Sequence, residues 1–272
     1  MIGPEIVQAA ALFGVSANNR RVEPKVGRVR RDRIHHRLDL GAELRCCEVV
    51  DANGLRSCHT GNVVEAQPMH ARSLSAMTDA YDDEQRVDFF VRSSAFFGEL
   101  VRSVGDEEWE LPTPCSDWDI RTLVAHVVIG DAQIPGLFAG ETVAFIEEVD
   151  PSVLGLNPLA SWRGTALAAI RAFAAPGSLN ERYAHPLGNI RGRTVIGFRV
   201  TDSLVHAWDL GQALGEPVML DPELCEYCLD FWFPMASTLE SSGFFRAAML
   251  PADGADAATR LLALLGREAV AT

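Results

Sequence analysis

Asp202, His206 and Asp209 follow one another at spacings of four and three residues, in a segment otherwise rich in apolar side chains. On a helix, the stripe that should face inward runs Val195, Phe198, Asp202, His206, Asp209, Ala213. Leu204, Val205, Trp208 and Leu210 flank it. Burying unpartnered charge costs several kcal/mol, so three ionisable groups on such a line need partners. A pair at i and i+4 aims both side chains at one spot. Asp202 and His206 could therefore grip one metal ion. Asp209, one turn on, could accept the other imidazole N–H and hold the ring in place. His126, inside the apolar run LVAHVVIG, is the candidate third ligand. Two histidines and an aspartate from two helices, with a position left open, fit a catalytic or exchangeable site better than a closed structural zinc site. Spacing alone leaves an alternative open: His126 as a hydrogen-bonded core residue, and Asp202 with His206 as an intrahelical bond.

Other reactive side chains carry weaker signals. Cys225 and Cys228 form a C-x-x-C inside a helical pattern, with no second pair and no preceding strand, and read as buried thiols. Cys115 stands just before a helix start, where its thiol could be activated; packing against Trp118 is the simpler reading. His35, His36, Cys46, Cys47, Cys58 and His59 include ligand types, but their spacing fits no zinc module. The basic run 28–37 has no interleaved aromatics to support nucleic-acid binding. There is no G-x-S-x-G nucleophile elbow and no phosphate-binding glycine loop.

The elements that must position these residues are helices. Apolar positions 87, 90, 91, 97, 100, 101 and 104 form a stripe over 80–104. A second helix is expected to open at Ser116, with Ser116 and Asp119 in capping-box spacing, and to kink or end at Pro135. A third runs over 158–175, capped by Asn157 with Pro158 in its first turn. Residues 180–193 read as a crossover with room for a short extended piece. A fourth helix spans about 194–214, stopped by Gly215. A fifth spans about 221–241, and a short last one 256–265. The fold class is all-α: a four-helix bundle with an additional short C-terminal helix.

The chain has 272 residues, 48% hydrophobic and 22% charged, enough apolar side chain for a core. Its net charge of −13 gives no global attraction for nucleic acid or anionic membrane. No apolar run is long enough to span a bilayer, and residues 1–21 lack a signal peptide's basic start. A cytoplasmic protein is expected. Charge is uneven: residues 1–76 hold 11 Lys/Arg and 8 Asp/Glu, whereas 77–272 hold 13 and 29. Residues 1–76 show no clean period and read as a poorly structured extension, or as sequence upstream of a start at Met77. Residues 77–272 read as the bundle.

Two runs together resemble a known family. They are Trp109-x-x-Pro112-Thr113-Pro114-Cys115-x-x-Trp118-Asp119-x-x-x-Leu123-x-x-His126 and Asp202-x-x-x-His206-x-Trp208-Asp209-Leu210. They are similar to the mycothiol-dependent maleylpyruvate isomerase metal-binding domain of the DinB/YfiT-like bundles. The closing run 260–268 is similar to an actinobacterial branch of it. The resemblance covers roughly 80–272. It implies a divalent metal, zinc foremost, held by His126, Asp202 and His206. It further implies a low-molecular-weight thiol, mycothiol, activated for transfer to an electrophile or for cis–trans isomerisation. The isomerase has Glu where Asp202 stands and a further domain after the bundle, whereas only about 30 residues follow the fifth helix here. Arg199 and Arg163 are candidate anchors for an acidic coenzyme or substrate group. The alternative function is a non-catalytic metal-binding sensor or interaction module.

Overall fold

The computed structural model describes residues 80–115, 117–146, 148–236 and 247–268. The extension over 1–76, the start at Met77, the basic run 28–37 and the His35–His59 ligand types lie outside the described residues, as does Ser116. Six α-helices are described: α1 (Asp83–Ser103), α2 (Ile120–Phe138), α3 (Pro158–Phe173), α4 (Gly192–Leu214), α5 (Pro222–Trp232) and α6 (Ala257–Leu264). A hairpin, β1 (Arg182–His185) and β2 (Gly188–Arg191), pairs Arg182 with Arg191 and His185 with Gly188, and leads into α4. It is the short extended piece of the crossover.

Local chemistry sets most helix starts. Asp82 and Gln85 form a reciprocal capping box on α1. Asn157 accepts from the Ala160 N–H at the head of α3, with Pro158 in the first turn. Three boundaries differ from expectation. Helix α2 begins at Ile120, because Asp119 is its cap and accepts from the Thr122 N–H at 2.7 Å. It continues through Pro135 to Phe138: so near the C-terminus, proline removes one backbone bond without stopping the last turn. The fifth helix ends at Trp232, and the chain tightens into a 3₁₀ turn over Phe233–Met235 around Pro234, short of the expected 241.

Helix α1 packs on α4, α4 on α2, α2 on α3, and α3 back on α1, which closes a four-helix bundle. Helices α5 and α6 pack on each other, and α5 on α4. The core includes Phe89, Phe90, Phe97, Leu123, Val127, Trp162, Ile170, Phe173, Ile196 and Leu204, all at most 2% exposed. Helix α4 is the most enclosed element and buries residues on every face, including Arg199, His206 and Asp209. Among the described residues no helix is long and apolar enough to cross a membrane.

One contact in this core yields a mutational expectation. A Cβ on Gly98 would lie 1.9 Å from Cη2 of the buried Trp162 indole. Alanine gains about 1 kcal/mol of helix propensity, but overpacking of a full core costs about 1–3 kcal/mol or more. An indole forced to move as a body sits at the top of that range. Gly98→Ala should therefore lower stability by about 2 kcal/mol net in urea unfolding; an unchanged or raised midpoint would contradict the packing described.

Candidate metal centre

The loop before α2 folds back on itself. Thr113 N–H donates to the Trp118 carbonyl, Ile120 N–H to Leu111 and Arg121 N–H to Trp109, each at 3.0 Å. Asp117 turns the chain with φ +67°, a conformation aspartate tolerates better than most residues. The turn lays the Trp118 ring against His126, 4.8 Å between centroids.

His126 of α2 meets Asp202 and His206 of α4 at that point. Asp202 Oδ1 lies 3.4 Å from His126 Nε2 and 3.3 Å from His206 Nε2. All three potential ligand atoms lie within 4.8 Å of one another. Two ligands about 2.0–2.1 Å from a shared tetrahedral centre stand ~3.3–3.4 Å apart. Charge-assisted hydrogen bonds are shorter, about 2.7–2.9 Å. The two separations match that spacing, and the nitrogen, nitrogen and oxygen donor set could hold one divalent metal ion. His126 Nδ1 is buried with no hydrogen-bond partner among the described residues.

The other Asp202 oxygen is held by Arg199, whose Nη1 donates to Oδ2 at 2.7 Å. The same guanidinium donates through Nε to Asp131 Oδ1 at 2.9 Å and through Nη2 to the Val127 carbonyl at 3.1 Å. Arg199 is thus a buried residue, 8% exposed, with an inward partner for each of its three nitrogens, and it also borders the cavity at this site. Gly130 makes this possible, because a Cβ there would stand 2.2 Å from Nη1. Burial works to raise the Asp202 pKa, but the charges of His126, Arg199 and His206 hold it well below the ordinary carboxylate range. Asp131 goes the other way: full burial outweighs Arg199 and pushes it up to about 6.

His206 is gripped from its far side. Its Nδ1 lies 2.9 Å from Asp209 Oδ2, as expected for an orienting carboxylate. Arg267, following α6, closes on both Asp209 oxygens at 3.1 and 2.8 Å. Burial opposes protonation of His206, yet Asp202 and Asp209 raise its pKa well above the ordinary imidazole value. The Cys115 thiol donates to Asp209 Oδ2 at 3.3 Å and lies 3.8 Å from His206 Nδ1. Cys115, His206 and Asp209 also satisfy ligand proximity, but their contacts are those of a hydrogen-bonded network in which Arg267 already neutralises Asp209.

Asp131, Arg199's inward role, Cys115's proximity and Arg267 escaped the sequence reading. Asp131 had a signal, as a charge five residues after His126 in the same apolar run. Arg267 had none. Arg163, the other proposed anchor, is not among the residues lining the cavity at this site. Cys225 and Cys228 are buried, and burial pushes both thiols up to about 12, in keeping with packed rather than redox-active sulfurs. A thiol reagent at pH 8 should label Cys115 in the native protein and leave Cys225 and Cys228 unmodified until unfolding, as read by peptide mass spectrometry. Native labelling of either buried thiol would contradict the packing.

A cavity of about 870 Å³ opens onto the His126–Asp202–His206 cluster, with Trp118, Ile134, Leu137, Phe145, Phe198 and Trp232 among its walls. It is large enough for a small-molecule pair.

The profile of the mycothiol maleylpyruvate isomerase N-terminal domain matches residues 90–211. An uncharacterized protein from two strains of Mycobacterium tuberculosis is 38% identical over 133 residues, spanning 49% of this chain and 69% of the relative. Crystal structures of the mycothiol-dependent maleylpyruvate isomerase and of a mutant of it align with TM-score 0.48 and 14% identity, over 65% of this chain and 78% of theirs.

Proposed function

The chain belongs to the mycothiol maleylpyruvate isomerase N-terminal domain family, and on that premise we propose that it is a divalent-metal and thiol-dependent transferase or isomerase. His126, Asp202 and His206 would hold one cation, zinc foremost, with the cavity side left open. When bound, the cation supplies Lewis-acid activation, lowering the pKa of a thiol so that its thiolate is present near neutral pH. The remaining work belongs to the chain. Arg199 fixes the Asp202 carboxylate, and Asp209 with Arg267 fixes the His206 ring so that Nε2 faces the cavity. Trp118 covers one side of the cluster and the apolar walls exclude water. A low-molecular-weight thiol, mycothiol, and an electrophilic small molecule would meet in the cavity. Thiolate attack on an electrophilic carbon would either displace a leaving group, which departs with its bonding pair, to give a conjugate, or open a double bond by addition and be expelled again after rotation to give the other isomer.

The observation that carries this reading is the spacing of the three ligand atoms at the floor of a cavity of about 870 Å³. Cobalt substitution tests it. A charge-transfer band should grow when mycothiol is added to the cobalt protein. An unchanged spectrum would instead favour a metal-binding module that senses or docks to a partner.

A further inference from the structure

The cavity's charges are already spoken for. Besides the proposed ligands, Arg199, Arg267 and His185 are the groups on its described lining that could carry positive charge. Arg199 spends its donors on Asp131, Asp202 and the Val127 carbonyl. Arg267 spends its donors on Asp209 and the Leu265 carbonyl. His185 Nδ1 accepts from the Leu187 N–H at 3.1 Å, and burial lowers its pKa, which favours the neutral ring. Three carboxylates, Asp131, Asp202 and Asp209, face these two guanidinium groups, and Glu268 adds a fourth negative charge at the rim.

Taking the three inner carboxylates with the two guanidinium groups, and His206 without its proton as cation binding requires, the site is one negative charge in excess. A divalent cation makes it one positive, and a thiolate brings it to neutrality. An uncharged electrophile keeps that balance. A dicarboxylate such as maleylpyruvate would leave two negative charges without a counter-ion against Ile134, Leu137, Val143 and Phe198, where burial of unpaired charge is strongly disfavoured.

We propose that the electrophile accepted by this cavity is an uncharged, largely apolar molecule, and that carboxylates are excluded from it. The proposal rests on the thiol-transfer reading above and assigns its substrate class. The chemistry tested is alkylation: a carbon–sulfur bond forms, a carbon–chlorine bond breaks, chloride leaves with the electron pair, and the thiol proton passes to buffer.

The test uses one scaffold in two charge states, methyl 4-(chloromethyl)benzoate and 4-(chloromethyl)benzoate, with the zinc-loaded full chain and mycothiol. The rate enhancement over the uncatalysed reaction should be at least about tenfold larger for the ester. Independently, metal-free protein should bind unreactive methyl 4-methylbenzoate at least about tenfold more tightly than 4-methylbenzoate, read by quenching of tryptophan fluorescence. Leu187, 49% exposed on the cavity rim and not a proposed ligand, offers a gain-of-function control. Leu187→Arg should raise turnover of the carboxylate about tenfold while the ester is still turned over. Equal or better use of the carboxylate by the unmodified chain overturns the substrate class, while thiol transfer stands. No turnover of either compound, with the ester still binding more tightly, counts against thiol transfer and supports the cavity's charge preference. No turnover and no binding preference overturns both.

Discussion

His206→Ala should reduce zinc from about one equivalent per chain to below about a tenth, in protein purified without an affinity tag and measured by elemental analysis. The substitution removes the one ring that serves both sides of the centre. Its Nε2 is a proposed ligand atom beside Asp202, and its Nδ1 joins Asp209. His126→Ala should behave alike, because two ligands cannot hold the ion that three enclose. Asp209→Asn keeps all three ligands but weakens the hold on the ring, and should cost about 10–100-fold in affinity. Equimolar zinc in His206→Ala would end the proposal. Affinity should also depend on pH. In the metal-free chain the His206 proton is held tightly, because its pKa is raised well above the ordinary value. Zinc must displace that proton, so below the raised pKa the apparent affinity should fall about tenfold for each unit of pH lost. Stability of the metal-free fold follows the same groups. The raised His206 contributes fully below the ordinary histidine pKa, and its contribution is lost as pH rises through the folded value. The lowered Asp202 and Asp209 contribute above the ordinary carboxylate range, and their contribution is lost as pH falls through their folded values. Urea midpoints against pH, with zinc and with chelator, would show both limbs.

Arg199→Ala should be among the most destabilising single changes in the bundle, at about 3–5 kcal/mol in chemical denaturation. Removing one partner of a buried ion pair leaves the other charge uncompensated, and that is the magnitude such losses reach. Here two carboxylates are stranded: Asp131, which has no exposure at all, and the inner oxygen of Asp202. Against a total stability of about 5–15 kcal/mol this is a large share. Adding Asp131→Asn to Arg199→Ala should recover part of the loss, since the stranded charge is then gone. A cost below about 1 kcal/mol for Arg199→Ala would mean that the guanidinium does not compensate those carboxylates.

The contrast between these two sites explains how much could be read in advance. That His126, Asp202 and His206 lie together was legible because each interrupts an apolar helical run, and because i, i+4 spacing brings Asp202 and His206 to one point. The helices themselves were legible from Asn157-Pro158, Gly215 and the period of the apolar positions. Arg199 was not legible in its true role. An arginine three residues before an aspartate looks the same whether it faces water or Asp131 across the bundle, and only the packing of α2 on α4 decides. The neighbourhood of Cys115 in sequence pointed to Trp118 but carried no sign that the fold brings Asp209 to its thiol. Pro135 and Pro234 carry the same local penalty but act differently. One falls in a final turn with few bonds left to lose; the other coincides with the passage into a 3₁₀ turn.

The clasp of Arg267 on Asp209 also bears on biosynthesis. Arg267 lies 61 residues beyond His206. At about 5–20 residues per second, translation delivers it ~3–12 s after that histidine. During this interval the nascent Asp209 carboxylate has no guanidinium to neutralise it. A truncation that removed Arg267 would leave the buried Asp209 carboxylate in that same condition permanently, so the closing segment of the chain is part of what lets this charge sit in the interior.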